Sequence, residues 1–346
     1  MALPGVSVIV PCYNEEQTIQ LLLEAICQQQ YPLQELEVII VDGMSTDNTR
    51  QVVEQYHSEH PNMVIRIIDN PKRIIPSALN YGINAATKEI ILRLDAHSKP
   101  YPDYIEKSIQ ALQSGKGENV GGIWEIQPFH QAGQTASLVA RGIAAAAAHP
   151  LGVGDAFYRY ASEARQVDTV PFGAFRKSLA LKIGLFNESL LTNEDYEFNI
   201  RILQNGGKIW LDPAIRCVYF ARSTYISLAQ QYWRYGFWKA RMLTRFPKTI
   251  RWRQALPPLF VLLLLSLSFL SFWEPRLVIL LLLQIVSYVL ILMVIGLITA
   301  LKKRDVSIVL SMPFAVAIMH LSWGSAFLWS LIRYMLGNTN PQKTSM

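Results

Sequence analysis

Apolar and polar positions follow two different patterns along this chain. Through about residue 220, short apolar runs are broken by charges, glycine and proline; from Leu256 onward nearly every position is apolar. In the first part, β-rich runs at residues 6–10, 37–41, 64–68 and 90–94 alternate with stretches of helical spacing at 17–29, 49–59 and 77–86. Strands alternating with helices predict crossover connections, and so an α/β fold with a mostly parallel sheet flanked by helices. Such sheets bind ligands beyond the carboxyl ends of their strands. The polar residues that follow each strand are therefore the candidate site.

In the second part, residues 256–273, 277–301 and 307–332 reach the roughly 18 apolar residues expected of a bilayer span. Residues 261–265 and 279–283 show no polar face, which a water-facing helix needs. The first stretch opens on Pro257 and Pro258, leaving its upper boundary open. The expected organisation is a catalytic domain over 1–222, amphipathic interfacial helices over 223–255, three transmembrane helices over 256–333 and a tail over 334–346.

Charge adds an orientation. The chain carries a net charge of +6 and a pI near 9.1. No acidic residue lies between Asp212 and Glu274, where Arg234, Lys239, Arg241, Arg245, Lys248, Arg251 and Arg253 precede the first span; Lys302-Lys303-Arg304 follows the second. The positive-inside rule places the large amino-terminal part in the cytosol, and the chain in the inner membrane as a multi-pass protein. The basic residues sit where anionic lipid would be, which excludes nucleic acid as the expected partner. Residues 1–10 lack the features of a secretory signal. The 3 cysteines, Cys12, Cys27 and Cys217, show no metal or redox spacing and suit a reduced compartment.

The loops after the strands hold the chemistry. Pro11-Cys12-Tyr13-Asn14-Glu15-Glu16 follows the first strand, Asp42-Gly43-Met44-Ser45-Thr46-Asp47-Asn48-Thr49 the second, and Asp95-Ala96-His97 the fourth. The first loop has no glycine and is acidic, which excludes both a dinucleotide fingerprint and a P-loop. Phosphate must be met by a metal or by basic side chains. Carboxylates gathered in one crevice repel unless they hold a cation or hydrogen-bond donors.

Residues 6–16 and 41–49, together with Asp95-Ala96-His97, Asn193-Glu194-Asp195 and Gln231-Tyr232-Trp233-Arg234-Tyr235, resemble the ordered motifs of the family 2 glycosyltransferases. Residues 167–170, 173–176 and 210–213 resemble the bacterial succinoglycan-type exopolysaccharide enzymes. The resemblance covers roughly residues 5–240. It implies the GT-A fold and inverting transfer of a sugar from a nucleotide-sugar, with UDP the expected nucleotide. It also implies a lipid-linked or polysaccharide acceptor, and as possible partners the proteins of polysaccharide assembly. The alternative is a catalytically inactive scaffold subunit of such an assembly; retention of Asp95 and Asp195 speaks against it.

The resemblance assigns roles residue by residue. Asp42 would accept from the donor's base, and Glu15 would bind the ribose; Pro11 and Tyr13 share that loop. Asp42 is equally a residue that starts a turn, Asp47 suits a helix cap, and Asn14 with Gln17 has capping-box spacing. Asp95 and His97 occupy the metal position, where the family usually has two aspartates. A divalent cation there stabilises the departing diphosphate. Asp95 suits Mg2+ or Mn2+, while an imidazole suits Mg2+ poorly. Asp195 is the expected catalytic base, with Glu194 as the substitute; Thr192 with Asp195 also has capping-box spacing. Gln231, Arg234 and Tyr235 share a helical face, with Tyr where processive relatives have Trp. Arg234 suits phosphate, and the same helix suits a bilayer surface. Three spans are too few for a polymer channel, so single-sugar transfer is expected. Trp124, after Gly121-Gly122, is a weak acceptor candidate or a core residue. Lys72 and Asn80 are weaker donor candidates.

Overall fold

The computed structural model describes residues 3–129, 135–154, 156–247 and 251–337. They form two compact units. The first draws on Met1–Glu125 and Phe157–Phe220, the second on Ile126–Ala156 and Ala221–Met346.

The first unit is built on a nine-stranded sheet. Strands β1 (Val6–Cys12), β2 (Leu36–Asp42), β3 (Val64–Asp69) and β4 (Ile90–Arg93) pair in parallel in the order β3-β2-β1-β4. Every residue of β2 is buried, because helices cover both faces of such a sheet and the strand then reads as one apolar run. Helices α1 (Ile19–Cys27), α2 (Thr49–Glu59) and α3 (Ile75–Ala85) are the crossovers. Proline in the first turn of α3 costs no hydrogen bond. Gly82 lets α3 close on β1: a Cβ there would lie 2.4 Å from Ile9 Cγ2.

Two acids interrupt this apolar strand, Asp42 at its end and Glu37 near its start, the latter 3% exposed. It accepts from Ser7 Oγ, Thr87 N and Oγ1, Lys88 N and Arg66 Nη2. One carboxylate thus ties β1, β2 and β3 to the turn entering β4.

Beyond β4 the expectation of a mostly parallel sheet gives way to a mixed one. The remaining elements are β5 (Ser98–Pro100), α4 (Tyr104–Gln113), β6 (Asn119–Pro128), β7 (Arg165–Val167), β8 (Ala174–Arg176), α7 (Lys177–Ile183), α8 (Glu194–Gln204) and β9 (Ile209–Ala221); the helices α5 (Leu138–Ala147) and α6 (Pro150–Val153), between β6 and β7 in the chain, belong to the second unit. β8 runs antiparallel to both β4 and β6, and β9 antiparallel to β5 and β7. A parallel neighbour needs a long crossover, and the strand–helix rhythm that supplies one stops after β4. The core under this half joins Phe175, Phe186 and Phe198 with Ile9, Leu79 and Ile83.

The second unit contains α5 (Leu138–Ala147), α6 (Pro150–Val153), α9 (Tyr225–Arg245), α10 (Trp252–Leu270), α11 (Leu277–Lys303) and α12 (Ile308–Met335). α10, α11 and α12 are each long and apolar enough to cross a membrane. α10 starts at Trp252, ahead of Pro257 and Pro258, and carries both inside it. α9 runs along α12. Tyr225 donates to Ser311 O at 3.2 Å, Arg241 lies over the Tyr334 ring, and a Cβ on Gly236 would meet Trp323 O at 2.2 Å. Gln231, Lys239 and Arg241 are buried along with the apolar residues of α9, while Trp233 and Arg234 are exposed. α5 packs its alanines against α12, with Gly142 over Ser311 and Arg141 paired to Asp305 at 3.2 Å.

Candidate active site

The loops after β1 and β2 are stitched together by polar groups. Asn14 sits at a positive φ of 55°, a conformation asparagine tolerates better than most residues. From there its Oδ1 accepts from Thr46 N at 2.8 Å, and its own N donates to Ser45 Oγ at 2.9 Å. Glu15 N donates to Thr49 Oγ1 at 2.8 Å. Asp47 accepts from Glu16 N at 3.2 Å and from Thr49 N at 3.0 Å at the start of α2, the local role its position allowed.

Asp42 ends β2 opposite Cys12. It is 0% exposed. Its oxygens accept from Ser45 N and Oγ and from Arg50 Nη1 at 3.1 Å. Arg50 also reaches Asp69 at 2.6 Å. Tyr13, about half exposed, packs beside Gly43: a Cβ on that glycine would lie 3.3 Å from Tyr13 Cβ. Pro11 belongs to β1, paired with Val41.

The loop after β4 meets the loop after β1. His97 Nδ1 lies 3.2 Å from Glu15 Oε1, and Glu15 Oε2 accepts from Thr18 Oγ1. The edge of the His97 ring meets Tyr219, centroids 5.5 Å apart. Two residues before Asp95 comes Arg93, which the sequence reading passed over. It is 5% exposed and gathers three carboxylates. Its Nε and Nη2 donate to Asp95 Oδ1 at 3.2 and 3.1 Å, and its Nη1 donates to Glu194 Oε1 at 3.0 Å and to Asp195 Oδ1. Burial alone would lower the guanidinium's proton affinity, but Asp195, Asp95 and Glu194 together carry it well above its ordinary value. The Asp195 carboxyl is pushed up from the usual aspartate range, by loss of water around it and by Glu194 and Asp95, against the pull of Arg93.

Helix α8, which carries Glu194 and Asp195, is fixed again one turn further along the same face. Asn199, one turn after Asp195, donates to Thr169 Oγ1 at 2.9 Å and accepts from Asn119 Nδ2 at 2.7 Å. Asn193 enters the helix at a positive φ of 68°, so the chain turns sharply just before the acids. A cavity with room for about one water is lined by Arg93, Asn119, Asp195 and Asn199 among others.

Asp42, Glu15, Asp95 and Asp195, distant in sequence, thus lie at the carboxyl ends of β2, β1 and β4 or touch residues that do. Other expected residues are engaged elsewhere. Lys72 pairs with Glu188 at 2.6 Å. Asn80 spends its amide on both backbone atoms of Phe186 and on Glu188. Trp124 stacks on Tyr219 at 4.1 Å, nearly parallel, and contacts Tyr158 and Phe172, so one face of its ring is covered by Tyr219. In the second unit, Gln231 Nε2 donates to Tyr235 OH at 3.1 Å. A signal for Arg93 was present: a cation inside an otherwise apolar strand is almost never buried unless paired.

A divalent cation fits this donor set in one particular way. Among the described residues no three His, Cys, Asp or Glu side chains form a closed cage. Asp95 and His97 keep side-chain exposures of 20% and 27% on a single loop. Few protein ligands with the rest supplied by substrate phosphate and water is how Mg2+-type sites are made.

The model of the family described as "Glycosyl transferase family 2" matches residues 7–140. The chain is 31% identical over 264 residues, covering 75% of itself and 80% of the relative, to a dolichyl N-acetyl-alpha-D-glucosaminyl phosphate 3-beta-D-2,3-diacetamido-2,3-dideoxy-beta-D-glucuronosyltransferase of Methanococcus voltae. It is 28% identical to the succinoglycan biosynthesis protein ExoA of Rhizobium meliloti, covering 72% of itself and 73% of that protein. The fold is shared with the mannosyltransferase PcManGT from Pyrobaculum calidifontis, solved with GDP-Man and Mn2+, at a TM-score of 0.58 and 20% identity over 94% of this chain and 87% of that one. This chain, with its GT-A fold and its three helices able to cross a membrane, belongs to glycosyl transferase family 2.

Proposed function

We propose that the chain is an inverting glycosyltransferase that takes a sugar from a UDP-linked donor and transfers it to a lipid-phosphate-linked acceptor at the cytosolic face of the inner membrane. The observation that carries the reading is the convergence of Asp95, Glu194 and Asp195 on Arg93 beside the Glu15–His97 contact. Acids from the metal position and from the base position share one part of the sheet.

The chemistry follows from the roles. Asp195 takes the proton of the acceptor hydroxyl as that oxygen attacks the anomeric carbon from the face opposite the leaving group. The bond from that carbon to the diphosphate oxygen breaks, and its electron pair leaves with UDP. One displacement inverts the configuration and needs no covalent enzyme intermediate. A base raised toward neutrality by its surroundings suits the step, and the upward shift of Asp195 has that direction. Asp95 and His97 would hold the divalent cation, which would supply Lewis-acid stabilisation of the departing diphosphate. Glu15 and Asp42, with Tyr13 and Pro11 beside them, are the residues for the nucleoside, and Asp42 meets it only once a hydrogen bond from Ser45 or Arg50 gives way. Arg234, exposed on α9, presents a fork suited to phosphate oxygens.

The acceptor class rests on the relatives' names. That of the Methanococcus protein contains a dolichyl-linked phosphate, and those of shorter matches from Photorhabdus and Proteus contain undecaprenyl phosphate. The cytosolic orientation rests on the basic residues flanking α10 and ending α11.

The test is a donor panel. Purified protein in detergent is given UDP- and GDP-sugars with polyprenyl-phosphate-linked acceptors, with Mn2+, with Mg2+ or with EDTA. The expected result is transfer from a UDP-sugar only with metal, and an inverted anomeric configuration by proton NMR. Retained configuration, or full activity in EDTA, would refute the reading.

A further inference from the structure

We propose that Arg93 is a positioning residue of the reaction: its single guanidinium sets the base-bearing helix and the metal-side acid at one fixed separation. The inference rests on the function proposed above, in which Asp195 serves the attacking hydroxyl and Asp95 the departing diphosphate.

The geometry argues for more than charge balance. Arg93 is held by the sheet: it pairs with Ile9 on β1, and its N donates to Gly173 O at 3.2 Å beside β8. Its guanidinium is planar and presents donors in a rigid fork. One edge, Nε with Nη2, faces Asp95, and the remaining nitrogen faces Glu194 and Asp195. Two acids opening one helix and a third on a neighbouring loop would repel one another without it. The network from Asn119 and Asn199 to Thr169 holds α8 one turn after Asp195, and Arg93 holds the first turn, which carries the acids. A near-attack geometry requires the attacking and leaving atoms to be held together closely, and a displacement of about 1 Å can cost roughly 100-fold in rate. A lysine, with one point charge on a flexible stem, cannot occupy both edges at once.

The experiment compares wild type, R93K, R93M and D195N in the full-length detergent-solubilised protein. It measures kcat, donor KM, UDP affinity by calorimetry, and recovery of rate with added guanidinium chloride at non-denaturing concentration. R93M is expected to lose about 100-fold in kcat while UDP affinity changes less than about threefold. Added guanidinium is expected to restore about tenfold of that loss, and methylammonium to restore none. R93K is expected to keep UDP affinity and lose at least about tenfold in kcat. If R93M does not fold, R93K alone decides. R93K or R93M turning over within about threefold of wild type overturns the proposal. So does a loss of UDP affinity as large as the loss of kcat, since that places Arg93 in nucleotide binding. Failure of the underlying reading looks different: D195N would remain active, or wild type would transfer from no donor, and in either case Arg93 has no base to position.

Discussion

Two clusters of carboxylates sit at the same end of the sheet and are neutralised in opposite ways. Between the loops after β1 and β2, Glu16, Asp42 and Asp47 accept mainly from backbone N–H groups and hydroxyls nearby, with Arg50 as an added cation. At β4 and α8, Asp95, Glu194 and Asp195 accept from one buried guanidinium. Backbone donors cannot leave a site, so the first cluster is a shaped surface. A guanidinium shared among three acids is a rigid link between the base side and the metal side of the reaction. The first cluster should therefore govern folding and nucleotide fit, and the second should govern turnover.

The widest separation between the two is expected from Asp195→Asn. Removing a general base costs about 100- to 10,000-fold in kcat, while the loops that shape the nucleotide site are untouched. Single-turnover kinetics and UDP calorimetry on the same sample check this. Loss of UDP affinity with kcat would show that the two clusters are one functional unit.

Glu37→Gln should break the opposite end of the sheet and leave chemistry alone. The carboxylate is nearly buried and accepts from Ser7, Thr87, Lys88 and Arg66. Burial opposes its charge, and these hydrogen bonds with Arg66 outweigh burial, so its pKa lies below the ordinary value. A lowered folded pKa gives stability that is present above the unfolded value, near 4.3, and is lost as pH falls through the folded value. The substitution should cost about 2–4 kcal/mol at pH 7, and the cost should shrink below about pH 4. Denaturant unfolding at several pH values checks it; a pH-independent difference would refute the linkage.

How far the sequence could show these arrangements depends on distance along the chain. α2 was expected over 49–59 and spans Thr49–Glu59, and β1 to β4 lie where the apolar runs placed them. The Asp47–Thr49 N contact at the start of α2 was legible because the partner is two residues away; the contact with Glu16 N, 31 positions off, was not. For Arg93 the sequence signalled only a buried cation that needs a partner; Glu194 and Asp195 lie 101 and 102 positions away. The antiparallel half was hidden for another reason: β5, β7 and β8 have three residues each, too few to show a period. The burial of α9 along α12 depends on Gly236 meeting Trp323 O, which composition does not reveal.

Asp47→Ala sharpens the first cluster. It removes the acceptor for Thr49 N and Glu16 N. Losing these two hydrogen bonds costs about 1 kcal/mol, read as a fall in melting temperature. UDP affinity should drop modestly with it, because Glu16, the neighbour of Glu15, loses its backbone anchor. An unchanged melting temperature would mean that Glu16, which accepts from Asn48 N, holds the loop alone.

The smallest expected effect tests where the nucleotide region ends. Lys72 was a donor candidate from sequence, yet its ammonium lies 2.6 Å from Glu188, with side chains 54% and 34% exposed. Exposed pairs of this kind contribute little and are screened by salt. Asn80, by contrast, fastens the same segment through both backbone atoms of Phe186, so the segment does not depend on the lysine. Lys72→Met should then leave stability nearly unchanged, and shift donor KM by less than about twofold. The test is steady-state kinetics at low and high salt. A tenfold rise in KM that vanishes at high salt would put Lys72 on the donor's phosphates, and would extend the turnover cluster past the edge that Glu188 marks.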